Sequence, residues 1–236
     1  MSEGKTVGIT GASGALGKEL TKIFRKRGYK VIGFTHSKND YEINNDSPNQ
    51  WITWQCGKEF LLEKHLKKID ILILNHGIYD TSKKSDYENS IEINALSKLK
   101  FLTLFEAITI ENNSPNAKEI WINTSEAEIL PALNPSYEIS KSLIGQLVSF
   151  KKNLLDKNLK KKFKIKKIIL GPFKSKLNPI GIMSPEFVSN NIYNFANLNI
   201  FLIIISPNPL TYIFFPIKEL YYFLYCKFLK ILTSNN

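Results

Sequence analysis

A tyrosine and a lysine four residues apart could carry proton-transfer chemistry. In the segment Tyr137-Glu138-Ile139-Ser140-Lys141, the first and last residues would share one face of a helix. A lysine ammonium beside a phenol favours the phenolate. A phenol tuned in this way can exchange a proton with a carbonyl or an alcohol near neutral pH. The spacing therefore predicts Tyr137 as a general acid/base and Lys141 as the residue that tunes it.

A serine upstream could bind the same substrate oxygen. Ser125 follows the apolar stretch 121–124 and precedes Tyr137 by twelve positions. A Tyr-x-x-x-Lys pair alone often arises by chance. A hydroxyl at the end of a predicted strand makes the catalytic interpretation of this pair stronger, since side chains at strand ends line the ligand crevice of parallel sheets.

Three glycines near the N-terminus have the spacing of a phosphate-binding loop. Gly11, Gly14 and Gly17 lie between a predicted strand at 6–10 and a predicted helix at 15–27. Gly11 permits a tight turn, Gly14 lets the backbone approach a pyrophosphate, and Gly17 lets the helix pack closely on the strand. The helix N-terminus supplies N–H groups and positive potential for phosphate. We predict a dinucleotide site that also includes Ser13, Ala15 and Leu16.

The end of the second predicted strand indicates which nicotinamide cofactor binds. A dinucleotide fold that selects NAD normally has Asp or Glu there, to bind the ribose 2′-hydroxyl. The stretch 34–38 has no acid, and the first one beyond it, Asp40, could fold back to take that role. A 2′-phosphate could be bound by Thr35, His36, Ser37 and Lys38. We therefore predict NADP(H) rather than NAD(H).

These residues need a scaffold in which short buried strands alternate with helices. Strands are predicted at 6–10, 31–34, 52–55, 69–74, 119–123, 165–170 and 201–205. Helices are predicted at 15–27, 59–67, 90–105, 135–155 and 184–197, with an apolar helix at the C-terminus. Such strands indicate a parallel sheet covered on both faces. Right-handed crossovers then give a doubly wound, seven-stranded α/β sheet.

The composition excludes several classes of protein. The 236 residues are 43% hydrophobic and 22% charged, unlike disordered, collagen-like or channel proteins. Two cysteines, Cys56 and Cys226, exclude a disulfide scaffold and give no paired thiol spacing for a metal site, so no metal is predicted. The first residues do not resemble a signal peptide, and we expect a cytoplasmic protein.

Positive charge is concentrated in one segment. The formal net charge is +11, and nine lysines lie between Lys151 and Lys167, with Asp156 as the only acid. Such a run could bind nucleic acid or anionic lipid. A solvated helix end is the preferred interpretation, because the arginines and stacking aromatics of nucleic-acid readers are missing. We expect no specific nucleic-acid partner.

Together these motifs resemble the short-chain dehydrogenase/reductase family over roughly residues 5–205. The match gives catalytic roles to Ser125, Tyr137 and Lys141, and Asn94 falls where the family has a fourth catalytic residue, which orders a relay water. The resemblance also implies cofactor contacts from Asn75, His76, Gly77, Tyr137, Lys141, Gly171, Pro172, Phe173 and Ser175. Within the family, the chain looks like a group of cyanobacterial short-chain dehydrogenases, some of them joined to a sterol-desaturase-like part.

The chain departs from the family pattern at several points. The glycine spacing is that of the extended or divergent branches, whereas the length suits the short branch. Leu74 and His76 replace the usual Asn and Ala of the cleft motif, and we interpret His76 as a residue of the cleft wall. Residues 175–184 leave almost no room for a substrate loop, so the pocket should be open or closed by other elements. Glu126 and Glu128 could repel anionic substrates or face the solvent.

The resemblance implies an NAD(P)-dependent oxidoreductase that moves a hydride between nicotinamide and a small carbonyl or alcohol substrate. A homo-oligomer is expected on the same ground. Two other functions remain open. A nucleotide-binding sensor or scaffold without turnover would explain the atypical adenine region and the missing substrate loop. A lysine-driven binder of nucleic acid or membrane surfaces would use the fold only as a scaffold, and salt-dependent binding would reveal it.

The segment 210–236 is predicted to form a helix outside the nucleotide-binding domain at 1–209. From Ile217 onward, apolar residues at helical spacing form one stripe, consisting of Leu220, Tyr221, Leu224, Phe228 and Ile231. The remaining arc carries Lys218, Glu219, Lys227 and Lys230. Pro216 and these four charges argue against a membrane span. We expect the stripe to pack on this domain or on a second subunit, and the alternative is a helix in the membrane interface.

Overall fold

A seven-stranded parallel sheet forms the centre of the computed structural model, which describes residues 4–36, 44–79, 86–112 and 117–234. Its strands are β1 (Thr6–Thr10), β2 (Lys30–Thr35), β3 (Gln50–Thr53), β4 (Ile71–Leu74), β5 (Lys118–Asn123), β6 (Phe163–Leu170) and β7 (Leu202–Ile205). Their order is β3-β2-β1-β4-β5-β6-β7, and every pairing is parallel. The predicted doubly wound α/β fold is confirmed.

Helices cover both faces of this sheet. They are α1 (Ala15–Lys26), α2 (Glu63–Leu66), α3 (Tyr87–Ile91), α4 (Ser97–Glu111), α5 (Pro135–Leu154), α6 (Lys157–Lys162), α7 (Pro185–Ala196) and α8 (Thr211–Ser234). One apolar layer joins α4 and α5 to the sheet and includes Phe105 and Val148. The other joins α1 and α7 to the opposite face and includes Phe24 and Val188. Each strand of the centre is therefore buried on both sides.

Two helical regions differ from the sequence-based prediction. The helix predicted at 90–105 begins earlier as α3, passes through a π-helical turn at Glu92–Leu96 and continues as α4 to Glu111. The short helix α6 was not predicted, because its lysine run has no apolar periodicity. Asp156 starts it by accepting hydrogen bonds from the backbone N–H groups of Asn158 and Leu159.

The lysine-rich segment 151–167 does not form one solvated surface. Lys166 and Lys167 lie in β6 and are buried. The Nζ of Lys167 is 2.8 Å from a carboxylate oxygen of Glu128 and 2.8 Å from one of Glu219. Burial lowers the pKa of Lys167, but the two carboxylates outweigh this effect and raise it overall. Lys167 is therefore a structural cation, and the exposed lysines of the segment are those in and around α6.

The acids after the predicted catalytic serine also have structural partners. Glu128 binds both Lys167 and Lys218, and its side chain is fully buried. Glu126 accepts hydrogen bonds from the hydroxyls of Ser206, at 2.6 Å, and Thr211, at 3.2 Å. Neither acid simply faces the solvent, because Glu126 holds the segment after β7 and the start of α8, while Glu128 joins β6 to α8.

The C-terminal helix packs with the face opposite to the predicted one. The Ile217–Ile231 stripe is exposed, whereas Lys218 and Glu219 point inward to the ion pairs around Lys167. Phe215, Tyr222 and Cys226 complete the buried side of α8, and Tyr222 packs edge-on against Phe150 of α5. The buried ion pairs require this orientation, so the expectation that the stripe packs on this domain was wrong.

No helix in the described part of the chain is both long enough and apolar enough to cross a membrane.

Candidate active site

A chamber of about 770 Å³ opens at the carboxyl ends of β1 and β4, where the strand order reverses. Strands on either side of such a point diverge into helices on opposite faces, which leaves a crevice. The walls include these predicted cofactor residues: Gly11, Ser13, Gly14, Ala15, Leu16, His36, Asn75, His76, Gly77, Phe173 and Ser175. The structure thus brings together residues that are up to 164 positions apart in the sequence.

The glycine loop leaves space and hydrogen-bond donors for a phosphate group. Gly11 has a φ of +63°, and a Cβ atom there would lie 3.0 Å from the Cα of His76. Gly17 does not line the chamber, since it lies behind the loop, where a Cβ would be 2.2 Å from the carbonyl oxygen of Gly11. Gly14 is the N-cap of α1 and provides no side-chain cap. The first-turn N–H groups of α1 therefore have no side-chain acceptor, which suits a phosphate.

At the predicted adenine end of the chamber, His36 lines the wall and packs against Trp54. The ring of His36 lies 4.5 Å from that of Trp54, and its Nδ1 is 3.0 Å from the Trp54 carbonyl oxygen. Thr35 is buried behind Ser13, with 3.2 Å between the two hydroxyl oxygens, so it supports the loop without lining the chamber. Ser37, Lys38 and Asp40 lie outside the described residues.

A second chamber, of about 610 Å³, joins the first. The two share walls at Asn75, His76, Gly77, Ile78, Phe173, Ser175 and Leu177. The second chamber is also lined by Ser125, Tyr137, Lys141, Gly171 and Pro172, all predicted site residues. A ligand that extends from the glycine loop past the shared wall would reach the predicted catalytic side chains.

Local capping places Tyr137 in the first turn of α5. The Oδ1 of Asn134 accepts a hydrogen bond from the Tyr137 N–H at 3.1 Å, and Pro135 follows as the first helical residue. One turn later, the Nζ of Lys141 lies 5.2 Å from the centroid of the Tyr137 ring. The ring of Tyr79 packs edge-on against that of Tyr137, with centroids 5.0 Å apart. The predicted shared helical face is present.

Ser125 lies at the carboxyl end of β5, facing the same chamber. Its Oγ accepts a hydrogen bond from the Ala127 N–H at 3.2 Å, which starts a 3-10 turn at Glu126–Glu128. Since this contact uses a lone pair of the oxygen, the O–H proton of Ser125 is left for a ligand oxygen. The arrangement provides one proton donor and one phenol around a common space.

Asn94 supports the chamber wall from behind. It is fully buried in the π-helical turn and does not line either chamber. Its side chain accepts from the Ile78 N–H at 2.9 Å and donates to the Ile78 carbonyl and the Ser140 hydroxyl, each at 3.0 Å. A π-turn frequently marks a functional site. In the described residues, the Asn94 side chain fixes the segment after β4 against α5.

Two buried bases lie beside the predicted catalytic side chains. Burial lowers the pKa of Lys98 well below its usual range, and Lys141 lowers it further. The Nζ of Lys98 donates to the Asn123 carbonyl at 2.6 Å and lines the second chamber. Burial and then Lys98 lower the pKa of His76 well below its usual range. His76 is a wall residue, as predicted, with its Nδ1 2.7 Å from the Thr10 hydroxyl.

The sequence analysis missed several residues of the second chamber, among them Lys98, Tyr79 and Leu133. Lys98 could have been found, since it lies four positions after Asn94 on a predicted helix. Tyr79 and Leu133 lie in loops and have no comparable signal. Tyr79 donates from its hydroxyl to the Ala132 carbonyl at 3.2 Å, which ties the loop before α5 to the chamber.

Aliphatic side chains form the mouth of the second chamber. Leu133 is 95% exposed and Ile180 is 90% exposed, although both line the chamber. Leu133 has a φ of +55°, a conformation that costs free energy for a residue with a side chain. The predicted absence of a long substrate loop agrees with this open, apolar mouth.

The sequence is similar to characterised proteins. It is 37% identical over 228 residues to monoglucosyldiacylglycerol epimerase from Synechocystis sp., and the match covers 94% of this chain. The chain spans about half of that relative's length, 54%. The NAD dependent epimerase/dehydratase family model matches residues 7–130.

The fold is similar to solved structures of low sequence identity. A short-chain dehydrogenase from Burkholderia cenocepacia, in complex with NADP, has a TM-score of 0.74 at 14% identity, covering 89% of this chain and 91% of that one. A short-chain dehydrogenase from Sphingobium yanoikuyae, in complex with NADPH, has a TM-score of 0.71 at 14% identity, covering 85% and 87%. The family-model match over more than half of the sequence shows that the chain belongs to the NAD dependent epimerase/dehydratase family, and it shares its fold with these short-chain dehydrogenases.

Proposed function

We propose that this chain is the nucleotide-binding and catalytic part of an NADP(H)-dependent enzyme that inverts one carbinol carbon of a sugar carried on a diacylglycerol-type lipid. The observation that carries the proposal is the junction of the two chambers. There Tyr137, Lys141 and Ser125 face the space that a nicotinamide would reach from the glycine loop.

The described residues fit a dinucleotide. The glycine loop and the first turn of α1 would hold the pyrophosphate, and His36, whose ring packs on Trp54, would contact the adenosine end. The stretch 34–38 at the end of β2 contains no acid, which favours NADP(H). Two structural relatives were solved with NADP or NADPH. Titration with NADPH and NADH side by side tests this choice, and equal or tighter binding of NADH overturns it.

The chain's own groups supply the proton chemistry. A bound nicotinamide would supply a reversible hydride acceptor at the carbinol carbon, so that inversion of this carbon would involve no net oxidation. Tyr137 would take the hydroxyl proton as the carbonyl forms and give it back as the alcohol is restored. Lys141, whose Nζ lies 5.2 Å from the centroid of the Tyr137 ring, would orient this group, and Ser125 would donate a hydrogen bond to the substrate oxygen.

Two observations support a lipid-borne substrate. The first is the similarity to an epimerase whose name specifies monoglucosyldiacylglycerol. The second is the aliphatic mouth formed by Leu133 and Ile180. A purely polar substrate gains nothing from such side chains, whereas the glycerol and acyl portions of a glycolipid would cover them.

Turnover of monoglucosyldiacylglycerol deuterated on its ring carbons tests the proposal. The protein and catalytic NADP⁺ are expected to yield an epimeric headgroup, separable by chromatography, that keeps its deuterium because the hydride returns to the carbon it left. Tyr137→Phe should bind NADPH nearly as well as the unaltered protein and lose at least about a hundredfold in rate, the scale of general acid–base catalysis.

Other outcomes would reject parts of the proposal. Tight NADPH binding with no conversion of any carbonyl or sugar lipid would indicate a nucleotide-binding sensor. Normal turnover by Tyr137→Phe would exclude this tyrosine as the acid/base. Tyr87→Phe, on an exposed tyrosine that lines neither chamber, is the matched control and should keep full activity.

A further inference from the structure

The outer face of α8 is a large apolar surface without cover in the described structure. Twelve large hydrophobic side chains on this helix are between 41% and 61% exposed. They are Tyr212, Ile213, Phe214, Ile217, Leu220, Tyr221, Phe223, Leu224, Tyr225, Phe228, Ile231 and Leu232. Their combined exposed area is on the order of 1,000 Å², whereas soluble monomers rarely expose more than a few hundred Å² in one patch.

The polarity of α8 is inverted relative to an ordinary surface helix. Its charged residues Lys218 and Glu219 face the protein, where they meet Glu128 and Lys167. A surface helix normally turns its apolar side inward and its charges to water. Because the inward side is fixed by buried ion pairs, rotation of the helix cannot hide the aromatic side. We therefore expect the aromatic side of α8 to be covered by an apolar partner outside the described structure.

Positive charge lies at the C-terminal end of this surface. The Nζ of Lys230 donates to the carbonyls of Asn153 and Leu155, at the end of α5, and α6 starts two residues later. The segment 157–162 brings the exposed lysines Lys157, Lys160 and Lys161 to this end, with Asp156 as the nearby acid. The one acid on α8, Glu219, is turned inward. The face thus combines exposed aromatics with lysines.

The other end of α8 adjoins the candidate active site. Thr211, in its first turn, donates to Glu126, which lines the second chamber. A helix of 24 residues is about 36 Å long, so one surface extends from the chamber wall to the lysines of α6. A lipid surface against this helix would lie beside the wall of the substrate chamber.

We propose that the outer face of α8 docks on the surface of an anionic lipid bilayer, with the helix lying in the interface. Aromatic side chains suit the headgroup region, and lysines are attracted to anionic headgroups. A second copy of this chain fits less well, since two chains with a net charge of +11 repel each other. The proposal does not depend on the identity of the substrate.

Co-sedimentation with glycolipid-free vesicles tests this docking. The full chain is expected to pellet with vesicles of 70% phosphatidylcholine and 30% phosphatidylglycerol, and more weakly with phosphatidylcholine alone. Leu224→Glu/Phe228→Glu should reduce partitioning at least tenfold. The control is Phe60→Glu/Leu61→Glu, which places the same charges on equally exposed apolar residues elsewhere and should bind normally.

Variants that lack surface lysines separate electrostatic attraction to anionic headgroups from nonspecific apolar adsorption. Lys157→Gln/Lys160→Gln/Lys161→Gln should lower partitioning on the anionic vesicles by about a hundredfold and leave the neutral vesicles unaffected. The control for net charge is Lys26→Gln/Lys64→Gln/Lys68→Gln, which changes three exposed lysines elsewhere on the protein. Circular dichroism confirms that each variant is folded.

Two results would overturn the proposal. One is a chain that stays in the supernatant with every vesicle. The other is an oligomer, detected by sedimentation velocity, that Leu224→Glu/Phe228→Glu dissociates although vesicle binding is unchanged. That result would assign the face to a second copy of this chain. Because the vesicles contain no sugar lipid, failure of the proposed epimerase activity would not alter either readout.

Discussion

At the scale of single residues, the site places two buried bases with lowered pKa values, Lys98 and His76, beside Lys141. Burial and the Lys141 cation both oppose protonation of Lys98, and burial and Lys98 oppose protonation of His76. Lys141 lines the second chamber beside Tyr137. The two lowered pKa values therefore have burial as their first cause and a neighbouring lysine as their second.

His76 should make the protein less stable at mildly acidic pH. Its pKa in the folded protein is well below 6.5, so below this pH the unfolded chain binds a proton that the folded chain does not. The free energy of unfolding should therefore fall as pH decreases below about 6.5, by at most about 1.4 kcal/mol at pH 5.5. Urea unfolding at pH 7.5 and 5.5 measures this change.

A variant pair isolates the contribution of His76. His76→Asn should remove that part of the pH dependence, whereas His36→Asn, on an exposed histidine of the adenine end, should keep it. If His76→Asn shows the same loss of stability between pH 7.5 and 5.5 as the unaltered chain, the buried histidine is not the cause.

At the scale of elements, close packing between α5 and the turn after β5 fixes the position of α8. Gly145 in α5 leaves the space that the Glu128 carboxylate occupies. That carboxylate binds Lys167 of β6 and Lys218 of α8, so one glycine allows three elements to meet. A helix interior would otherwise disfavour glycine by about 1 kcal/mol relative to alanine.

Gly145→Ala should therefore destabilise the protein despite the better helix propensity of alanine. An added Cβ would lie 1.9 Å from a carboxylate oxygen of Glu128, which forces the buried ion pair to move. We expect a loss of about 2 kcal/mol or more in the free energy of unfolding, from overpacking and the disturbed pair. Gln146→Ala, on the exposed side of the same helix, is the control and should change it little. An increase for Gly145→Ala would contradict the buried contact.

At the scale of the whole molecule, α8 contributes one face to the protein fold and presents the other outward. Its inner side supplies Glu219 to Lys167 and buries Phe215, Tyr222 and Cys226. Its outer side is largely exposed, although Tyr225 touches Phe150 and Tyr212 binds the backbone of Ser206. Stability and surface binding therefore depend on different residues of one helix. The expected homo-oligomer stays a prediction.

Deletion of residues 210–236 should lower the melting temperature by roughly 10 °C and leave a core that aggregates. The deletion removes Glu219, and loss of a partner from a buried ion pair lowers the free energy of unfolding by about 3–5 kcal/mol. Each kcal/mol corresponds to about 2–4 °C in melting temperature for a protein of this size. Leu224→Glu in the full chain, which changes only the outer face, should leave the melting temperature within about 2 °C. Scanning calorimetry measures both. A deletion variant as stable as the full chain would show that the inner contacts are not needed.

The sequence by itself determined the parts of this protein that depend on local pattern. Apolar runs and glycine spacing predicted the seven strands, and the pair Tyr137 and Lys141 needed only the helical repeat to share a face. The caps at Asn134 and Ser184 act within three residues, so the starts of α5 and α7 were also predictable. The π-turn around Asn94 was not, because it depends on contacts with Ile78 and Ser140.

Only the tertiary structure decided which side of α8 faces the protein. Helical periodicity identifies two faces, and the general preference is to bury the apolar one. Here Glu128 and Lys167 come from other elements and select the charged face, since a buried cation requires its carboxylates. The same reason makes Lys167 a core residue although its segment resembles a solvated lysine run. Long-range charge pairing, which no local window contains, thus set the orientation of the helix and left its aromatic face outward.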